Sequence, residues 1–207
     1  MKQKKTDILI IGIGLAGMTA AITAAKSGKQ ITLITKTNSL ESGNTPWAQG
    51  GIVYKGLNDS PQKLKQDILN AGSGHCWEEA VDHLCEQGPG LVKKILIDSL
   101  NTKFDRFNNK LKRVAEGAHS DSRVIYNQDK TGQSIHQSAL QYLQKLDNVE
   151  ILTNHTAIDL LTFSHHSTAT TDIYKKPACF GAMVLNNRNN VMPILSSKTI
   201  LATGGLG

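Results

Sequence analysis

The chain has 207 residues, of which 39% are hydrophobic and 19% charged, and a formal net charge of +6 at pH 7. This composition is ordinary for an α/β protein with a substantial core, and no apolar run reaches the roughly 18 residues that a membrane span requires. Its lysines lie singly or in pairs without interleaved aromatic residues, so the positive charge does not predict a nucleic-acid surface and is better suited to attracting small anionic substrates.

The amino-terminal residues and the cysteines indicate in which cellular compartment the protein is expected. Residues 1–5 resemble the start of a signal peptide, but a strand that runs into glycines follows, with no cleavage-type site. The cysteines, Cys76, Cys85 and Cys179, are odd in number and widely spaced, without a metal-type C-x-x-C pair. We therefore expect no metal site, no membrane association and a reduced, cytoplasmic setting.

The first forty residues have the pattern of a strand, a helix and a second strand. Residues 7–11 form a continuous apolar run typical of a buried parallel strand. Residues 16–27 carry helix formers that Gly28 terminates, and residues 31–35 are again apolar and β-branched. This is the beginning of a βαβ unit.

A dinucleotide-binding loop is predicted between the first strand and the helix, by the sequence Gly12-Ile13-Gly14-Leu15-Ala16-Gly17. Gly12 permits the tight turn, Gly14 lets the backbone approach the phosphates, and Gly17 lets the helix pack closely on the strand. The amino-terminal end of the helix offers N–H groups and a positive dipole to the anion.

The second strand lacks the carboxylate that usually binds the ribose hydroxyls, because Thr35 and Lys36 stand at that position. This weakens a simple NAD interpretation. Three alternatives stay open: Lys36 contacts the nucleotide, Thr35 bonds the ribose, or Lys36 is a solvated lysine at the end of a strand.

A run of mostly small residues follows the second strand, with the sequence Asn44-Thr45-Pro46-Trp47-Ala48-Gln49-Gly50-Gly51. Glycine lets main-chain N–H and C=O groups lie against a planar ring with no Cβ in between. The run therefore favours a flavin over a bare nicotinamide cofactor, and an NAD-dependent dehydrogenase is kept as an alternative.

Helices dominate the middle of the chain. Ser60 and Pro61 are typical N-cap and N1 residues of a helix that we expect to run to Asn70 and to close at Gly72. The sequence predicts three further helices, at residues 78–86, 91–100 and 134–146. A hairpin that turns at Asn108-Asn109 is predicted within residues 104–114.

Strands dominate from residue 149 onwards. Five apolar segments are separated by turns and by a polar surface loop at 164–176, and they span residues 149–153, 157–163, 179–186, 191–195 and 199–203. The strands after Ala157 predict a three-stranded antiparallel meander. The last strand leads into Gly204-Gly205-Leu206-Gly207, from which we expect that the 207 residues are part of a longer protein.

Three motifs together resemble one family. The glycine loop at 12–17, the run at 44–51 and Ala202-Thr203-Gly204-Gly205 are similar to motifs of the succinate dehydrogenase/fumarate reductase flavoproteins, and among these the chain resembles the L-aspartate oxidases. A smaller match is Asp129-Lys130-Thr131-Gly132. The resemblance implies an α/β FAD-binding domain over residues 1–207, with a Rossmann-like parallel sheet and an antiparallel β-meander. The capping and C-terminal helical domains would be absent.

Two positions distinguish among the members of this family. Covalent members carry a flavin-bonded histidine where this chain has Asn44, and an amide cannot form that bond, so the resemblance implies non-covalent FAD. The segment from Glu116 to Ser120 resembles the Glu-Gly-Gly-His-Ser signature of the L-aspartate oxidases. Aspartate differs from succinate by an ammonium group, and a carboxylate at Glu116 would pair with it.

For three residues near Glu116 in sequence, the expected role depends on the local structure. Ala118 replaces a glycine of the signature, and a positive φ there would cost alanine about 1 kcal/mol. His119 contacts substrate or flavin, or bonds to the loop backbone. Arg123 pairs with nearby carboxylates, or lies on the surface.

The resemblance implies FAD-dependent oxidation of L-aspartate to iminoaspartate, in de novo NAD biosynthesis, with oxygen or fumarate as electron acceptor. Glu116 would orient the substrate, and the acid/base residue would lie outside the chain. The cofactor-binding residues implied are Gly12, Ile13, Gly14, Leu15, Ala16, Gly17, Lys36, Asn44, Thr45, Pro46, Trp47, Ala48, Gln49, Gly50 and Gly51.

This chain alone is expected to be inactive, with a downstream polypeptide supplying the capping domain. Two alternatives stay open beside the NAD-dependent dehydrogenase: a fumarate reductase or succinate dehydrogenase flavoprotein, and a non-catalytic flavin-binding fragment.

Overall fold

The structure is a computed structural model of the chain, and it describes residues 3–205. Residues 1 and 2 lie outside the described residues, as do residues 206 and 207, the second half of the predicted terminal glycine turn. The helices and strands, in chain order, are β1 (Lys4–Ile11), α1 (Leu15–Ala25), β2 (Ile31–Ile34), β3 (Ile52–Val53), α2 (Pro61–Gly72), α3 (Glu78–Leu91), β4 (Arg106–Phe107), β5 (Lys110–Leu111), β6 (Val124–Ile125), α4 (Thr131–Leu143), β7 (Val149–Leu152), β8 (Thr156–Thr162), α5 (Phe163–His166), β9 (Cys179–Leu185) and β10 (Val191–Leu201).

The chain folds into two units. The first comprises Met1–Asn44 and Ala139–Gly207, and the second comprises Thr45–Ser138. The expectation of one FAD-binding domain over residues 1–207 stays a prediction.

A six-stranded sheet in the order β7-β2-β1-β10-β9-β8 forms the first unit. The neighbours from β7 to β10 pair in parallel, while β9 pairs antiparallel with both β10 and β8. This confirms the predicted Rossmann-like parallel sheet with a three-stranded antiparallel meander.

The core of the first unit joins the parallel strands to the meander. Apolar side chains from both parts pack into one cluster, whose buried members are Leu9, Ile11, Ile34, Ala182, Val184 and Ile194. Helix α1 buries Met18, Ala21 and Ile22. Burial of such a continuous apolar surface is the main stabilising contribution to a fold of this kind.

Strand β10 corrects the prediction of two separate strands at 191–195 and 199–203. It is continuous because its first residues pair with β9 up to Leu195, and β1 pairs with it from Ile194 to Leu201. The polar residues between the two predicted segments fit into the strand, since the hydroxyl of Ser196 lies 3.0 Å from that of Thr199 and Lys198 is exposed.

The helices of the second unit also differ from the prediction. Helix α3 does not stop before Gly88-Pro89-Gly90 but continues into a π-helical segment at Val92–Ser99, where Leu100 N donates to Ile95 O over 2.9 Å. The sequence predicts two separate helices on either side of these residues, at 78–86 and 91–100. The helix continues because its buried side chains form one apolar stripe, which includes Val81, Cys85, Val92 and Leu96.

Several local predictions are confirmed. Ser60 caps α2, its Oγ accepting from Lys63 N over 3.2 Å, and Pro61 follows at N1. Strands β4 and β5 form the predicted hairpin, in which Asn108 and Asn109 both have positive φ. The loop predicted at 164–176 is less irregular than expected, since α5 and a 3₁₀ turn at Thr170–Tyr174 lie in it.

Candidate functional site

The glycine loop of the first unit passes very close to the end of β10. Gly12 has a φ of +113°, and an ideal Cβ placed on it would lie 2.1 Å from Ala202 O. On Gly17 an ideal Cβ would lie 1.9 Å from Gly12 O. Only glycine fits at either position, because any side chain would overlap backbone atoms. The loop therefore has the tight turn and the close helix–strand packing that the sequence predicts.

Helix α1 begins at this loop with no side-chain cap. Gly14 is its N-cap residue, in an extended conformation, and accepts a hydrogen bond from Met18 N over 3.0 Å. The first turn of the helix carries no acidic residue. A glycine at the N-cap and a first turn without acidic residues suit a bound phosphate, so the loop fits the pyrophosphate of a dinucleotide.

The end of β2 places Thr35 and Lys36 differently. Thr35 is buried, and its Oγ1 lies 3.3 Å from both Thr37 Oγ1 and Ser42 Oγ. Lys36 is exposed, and no salt bridge involves it within the part of the chain described. The Thr35 hydroxyl is thus engaged with neighbouring hydroxyls, which favours Lys36 over Thr35 as the nucleotide contact.

The small-residue run continues from Asn44, which is exposed, into the second unit. Thr45–Trp47, with Pro46 in the middle, form a 3₁₀ turn, and Trp47 is 78% exposed. Gly51 has a φ of +125°, and an ideal Cβ there would lie 2.5 Å from Val124 Cγ1 and 2.8 Å from Ile125 O. Gly51 therefore lets the run pack directly against β6, while Ala48, Gln49 and Gly50 remain exposed.

Gly132, in the first turn of α4, contacts the first part of this run, from Thr45 to Ala48. Its backbone N donates to Ala48 O over 2.7 Å. An ideal Cβ on Gly132 would lie 2.0 Å from Thr45 O and 2.7 Å from Ala48 O. The sequence showed residues 129–132 only as a similarity of motif. The one available signal was a glycine just inside a helix start, where it lowers helix propensity.

Glu116 lies next to the same run. It begins a turn in which His119 N donates to Glu116 O over 2.9 Å and Glu116 N donates to His119 Nδ1 over 3.4 Å. Glu116 is exposed, and its Oε1 lies 3.9 Å from an ideal Cβ on Gly50. The structure thus brings together the carboxylate and the glycines that the sequence selected separately.

Two expectations concern this turn. The ring of His119 accepts a hydrogen bond from the loop backbone, and its contact with substrate or flavin stays a prediction. Ala118 is not among the described residues with positive φ, so the conformational strain considered for it does not arise.

Arg123 is the largest fully buried side chain that the structure describes. It forms a two-pronged ion pair with Asp59, from Nε to Oδ2 over 2.8 Å and from Nη2 to Oδ1 over 2.9 Å. Its Nη1 donates to Asp67 Oδ2, which also accepts from Ser120 N over 2.8 Å and Ser120 Oγ over 3.0 Å. Of the alternatives for Arg123, carboxylate pairing is the one observed.

Sequence reasoning missed Asp59 and Asp67. A signal existed in α2, where Asp67 follows Leu64 by three residues and therefore lies on the helix face that Leu64 buries. A carboxylate on a buried face requires a cationic partner. Its identity could not be read from the sequence, because Arg123 is 56 residues away.

These contacts determine the charge states in the cluster. The Arg123 guanidinium, with help from the Ser120 N–H, lowers the pKa of Asp67 to about 2 despite its burial. Arg123 likewise lowers the pKa of Asp59, and the two carboxylates raise the pKa of Arg123. All three groups are charged at neutral pH.

Acid should therefore remove the contribution of Asp67 to stability. A carboxyl whose pKa is depressed in the folded state stabilises that state above its ordinary pKa of about 4, and this stabilisation is lost as the pH falls through the folded-state value. We expect Asp67→Asn to be less stable than wild type at pH 7, and more than half of that difference to disappear by pH 2. Urea unfolding at a series of pH values measures it, and a difference that stays constant would contradict it.

Neither a metal centre nor a membrane-spanning helix is present in the described residues. No group of His, Cys, Asp or Glu side chains there could hold a metal ion. No helix in residues 3–205 is long and apolar enough to cross a membrane. A cavity of about 350 Å³ lies in the second unit beside Asp59, Leu64 and Cys85, and none of the predicted site residues lines it.

Residues 7–207 match the family model described as an FAD binding domain. The L-aspartate oxidase of Halobacterium salinarum is 34% identical, over 98% of this chain and 38% of the relative. The L-aspartate oxidase of Clostridium acetobutylicum is 33% identical, over 98% of this chain and 43% of the relative.

Among solved structures, Escherichia coli quinol fumarate reductase superimposes with a TM-score of 0.83 at 22% identity, covering 100% of this chain and 34% of that one. At this identity the likeness shows the fold alone. The chain spans less than half the length of each of these proteins.

Proposed function

This chain belongs to the family of proteins that carry this FAD binding domain, and on that premise we propose that it is the FAD-binding part of an L-aspartate oxidase, a member of the succinate dehydrogenase/fumarate reductase flavoproteins. FAD is its cofactor. The complete protein would oxidise L-aspartate to iminoaspartate in NAD biosynthesis in the cytoplasm. Oxygen or fumarate would be the electron acceptor.

The residues divide the work of binding FAD. Gly12 to Gly17 would hold the pyrophosphate at the start of α1, and Lys36 would contact the nucleotide. Residues 44–51 would line the isoalloxazine with exposed backbone, which the glycines at 50 and 51 permit. When bound, FAD supplies the redox chemistry by accepting a hydride from the substrate Cα.

Asn44 supports non-covalent attachment of FAD, because its side-chain amide cannot form the covalent bond to the flavin ring that a histidine at this position would form. A purified preparation of the protein, which should be yellow, tests both the presence of an FAD site and the non-covalent attachment of FAD. After acid precipitation, the flavin absorbance should be found in the supernatant. Colour that remains in the pellet would contradict non-covalent binding, and a colourless protein that takes up no added FAD would contradict the cofactor site.

The proximity of Glu116 to Gly50 carries the choice of substrate. A carboxylate beside the flavin-lining run is placed to pair with the ammonium group of aspartate, which succinate lacks. A charge-assisted hydrogen bond of this type contributes roughly 1.5–3 kcal/mol. Glu116 would orient the substrate and has no assigned role in proton transfer. No acid/base residue is proposed within residues 1–207.

Glu116→Gln tests the substrate assignment. We expect it to weaken L-aspartate binding at least about tenfold and to change succinate binding less than about twofold, because only aspartate loses an ionic partner. Perturbation of the flavin absorbance during titration measures both affinities. Glu79→Gln, at an exposed glutamate in the first turn of α3, is a control with the same charge change.

A fumarate reductase or succinate dehydrogenase flavoprotein is the second candidate, and the structural likeness to quinol fumarate reductase is compatible with it. It predicts that wild-type protein binds succinate at least as well as aspartate and that Glu116→Gln affects both equally. Either result would contradict the proposed substrate. A fragment that binds flavin but neither substrate would be the non-catalytic module.

A further inference from the structure

The turn that carries Glu116 belongs to a loop that is closed at its base. Val114 and Val124 form an antiparallel bridge, with both N–O distances 3.0 Å, so residues 115–123 leave and return at the same point. Within the described residues the Glu116 carboxylate accepts no hydrogen bond from the protein, and Glu116 is exposed. Its position therefore depends on how its backbone is held.

Asp67 holds that backbone from outside the loop. Its Oδ2 accepts from both Ser120 N and Ser120 Oγ, over 2.8 and 3.0 Å. Ser120 directly follows His119, whose N–H closes the turn onto Glu116 O. A displacement of Ser120 would thus move the residue that closes the turn.

Asp67 is itself immobilised. It is 6% exposed on the helix α2, and Arg123 fastens it to Asp59. On the next residue of the loop, the Asp121 carboxylate packs so closely that an ideal Cβ on Gly56 would lie 2.4 Å from its Oδ1. The loop is therefore attached to the rest of the unit at two consecutive residues.

We propose that Asp67 is a positioning residue for Glu116: by fixing Ser120 it holds the 116–119 turn so that the Glu116 carboxylate stays beside Gly50. The proposal rests on the proposed function, in which that carboxylate binds the substrate ammonium group. If it is correct, discrimination between aspartate and succinate depends on Asp67, a buried residue that touches neither ligand. The contribution of a well-positioned charged group to substrate binding is sensitive to displacements of about 1 Å.

A double-mutant cycle separates positioning from general stabilisation. The variants are Asp67→Asn, Glu116→Gln and their combination, with Asp82→Asn as a control. Asp82 pairs with Lys65 over 2.7 Å but is half-exposed, so the control makes the same chemical change at the surface. The readouts are aspartate and succinate affinity from flavin absorbance, and hydrogen exchange of the amides at 117–120.

We expect Asp67→Asn to weaken aspartate binding about tenfold in the wild-type background and less than about twofold when Glu116→Gln is present, because its effect operates through Glu116. Succinate affinity and FAD affinity should be unchanged, and exchange should accelerate more at 117–120 than at the other amides of the second unit, where only the lower global stability of the variant acts. Asp82→Asn should show none of this. Equal weakening of both ligands, or the same loss in both backgrounds, would overturn the proposal.

The exchange measurement keeps the proposal testable if the proposed function fails. If wild-type protein binds no aspartate, the substrate assignment is wrong, and exchange that accelerates more at 117–119 than elsewhere in the second unit in Asp67→Asn still supports the positioning role, whereas acceleration at 117–119 that is no greater than elsewhere overturns it. If Asp67→Asn does not fold, Ser120→Ala replaces it. That change removes one of the two hydrogen bonds to Asp67 and should give the same pattern with about a fivefold effect.

Discussion

Arg123→Met should lower the free energy of unfolding by about 3–5 kcal/mol at pH 7, because it leaves two buried carboxylates without a cationic partner. Asp59 and Asp67 are both nearly inaccessible. Urea unfolding followed by circular dichroism measures the change. The loss should shrink as the pH falls towards 2, since protonation of Asp67 weakens the ion pair in wild type and relieves the unpaired charge in the variant.

Two further variants control this experiment. Arg123→Lys keeps the charge but cannot make the two-pronged contact with Asp59, so its stability should lie between wild type and Arg123→Met. Lys65→Met removes a lysine that pairs with Asp82 and Glu78 at the surface, and it should change stability little, because exposed ion pairs are weak. An Arg123→Met protein as stable as Lys65→Met would contradict the importance of the buried cluster.

Gly132→Ala should abolish FAD binding at micromolar concentrations while the protein remains folded. The new Cβ would overlap Thr45 O and Ala48 O, so the 45–48 turn has to move away from α4. Because that turn belongs to the run assigned to the isoalloxazine, its displacement should remove the flavin contact. Fluorescence titration with FAD measures affinity, and far-ultraviolet circular dichroism shows whether the fold is retained.

Gly90→Ala is the matched control. Gly90 is also a helical glycine in the second unit, but an ideal Cβ there meets nothing within 4 Å. Alanine is the better helix former by about 1 kcal/mol, so this variant should be as stable as wild type or more stable, with FAD affinity unchanged. Undiminished FAD binding by Gly132→Ala would show that the 45–48 turn is not part of the cofactor site.

Local patterns predicted much of this architecture. The apolar run at 7–11, the glycines at 12, 14 and 17 and the second strand identified the βαβ unit, because strand, turn and helix are each specified by residues close together in sequence. Ser60 and Pro61 located the start of α2 for the same reason. The errors at Pro89 and at Ser196 arose where distant packing outweighed local preference: an apolar stripe carried α3 onward, and two neighbouring strands kept β10 extended.

The candidate site divides in the same way. The residue types in the glycine loop, the 44–51 run and the Glu116 turn were visible in the sequence, because backbone exposure and a free carboxylate each need particular side chains. What holds them was visible only in three dimensions. Gly132 contacts Thr45, and Asp67 contacts Ser120 and Arg123, across more than 50 residues of chain. Partners so far apart in sequence leave no periodic pattern, so their pairing is decided by the packing of α2, α4 and β6.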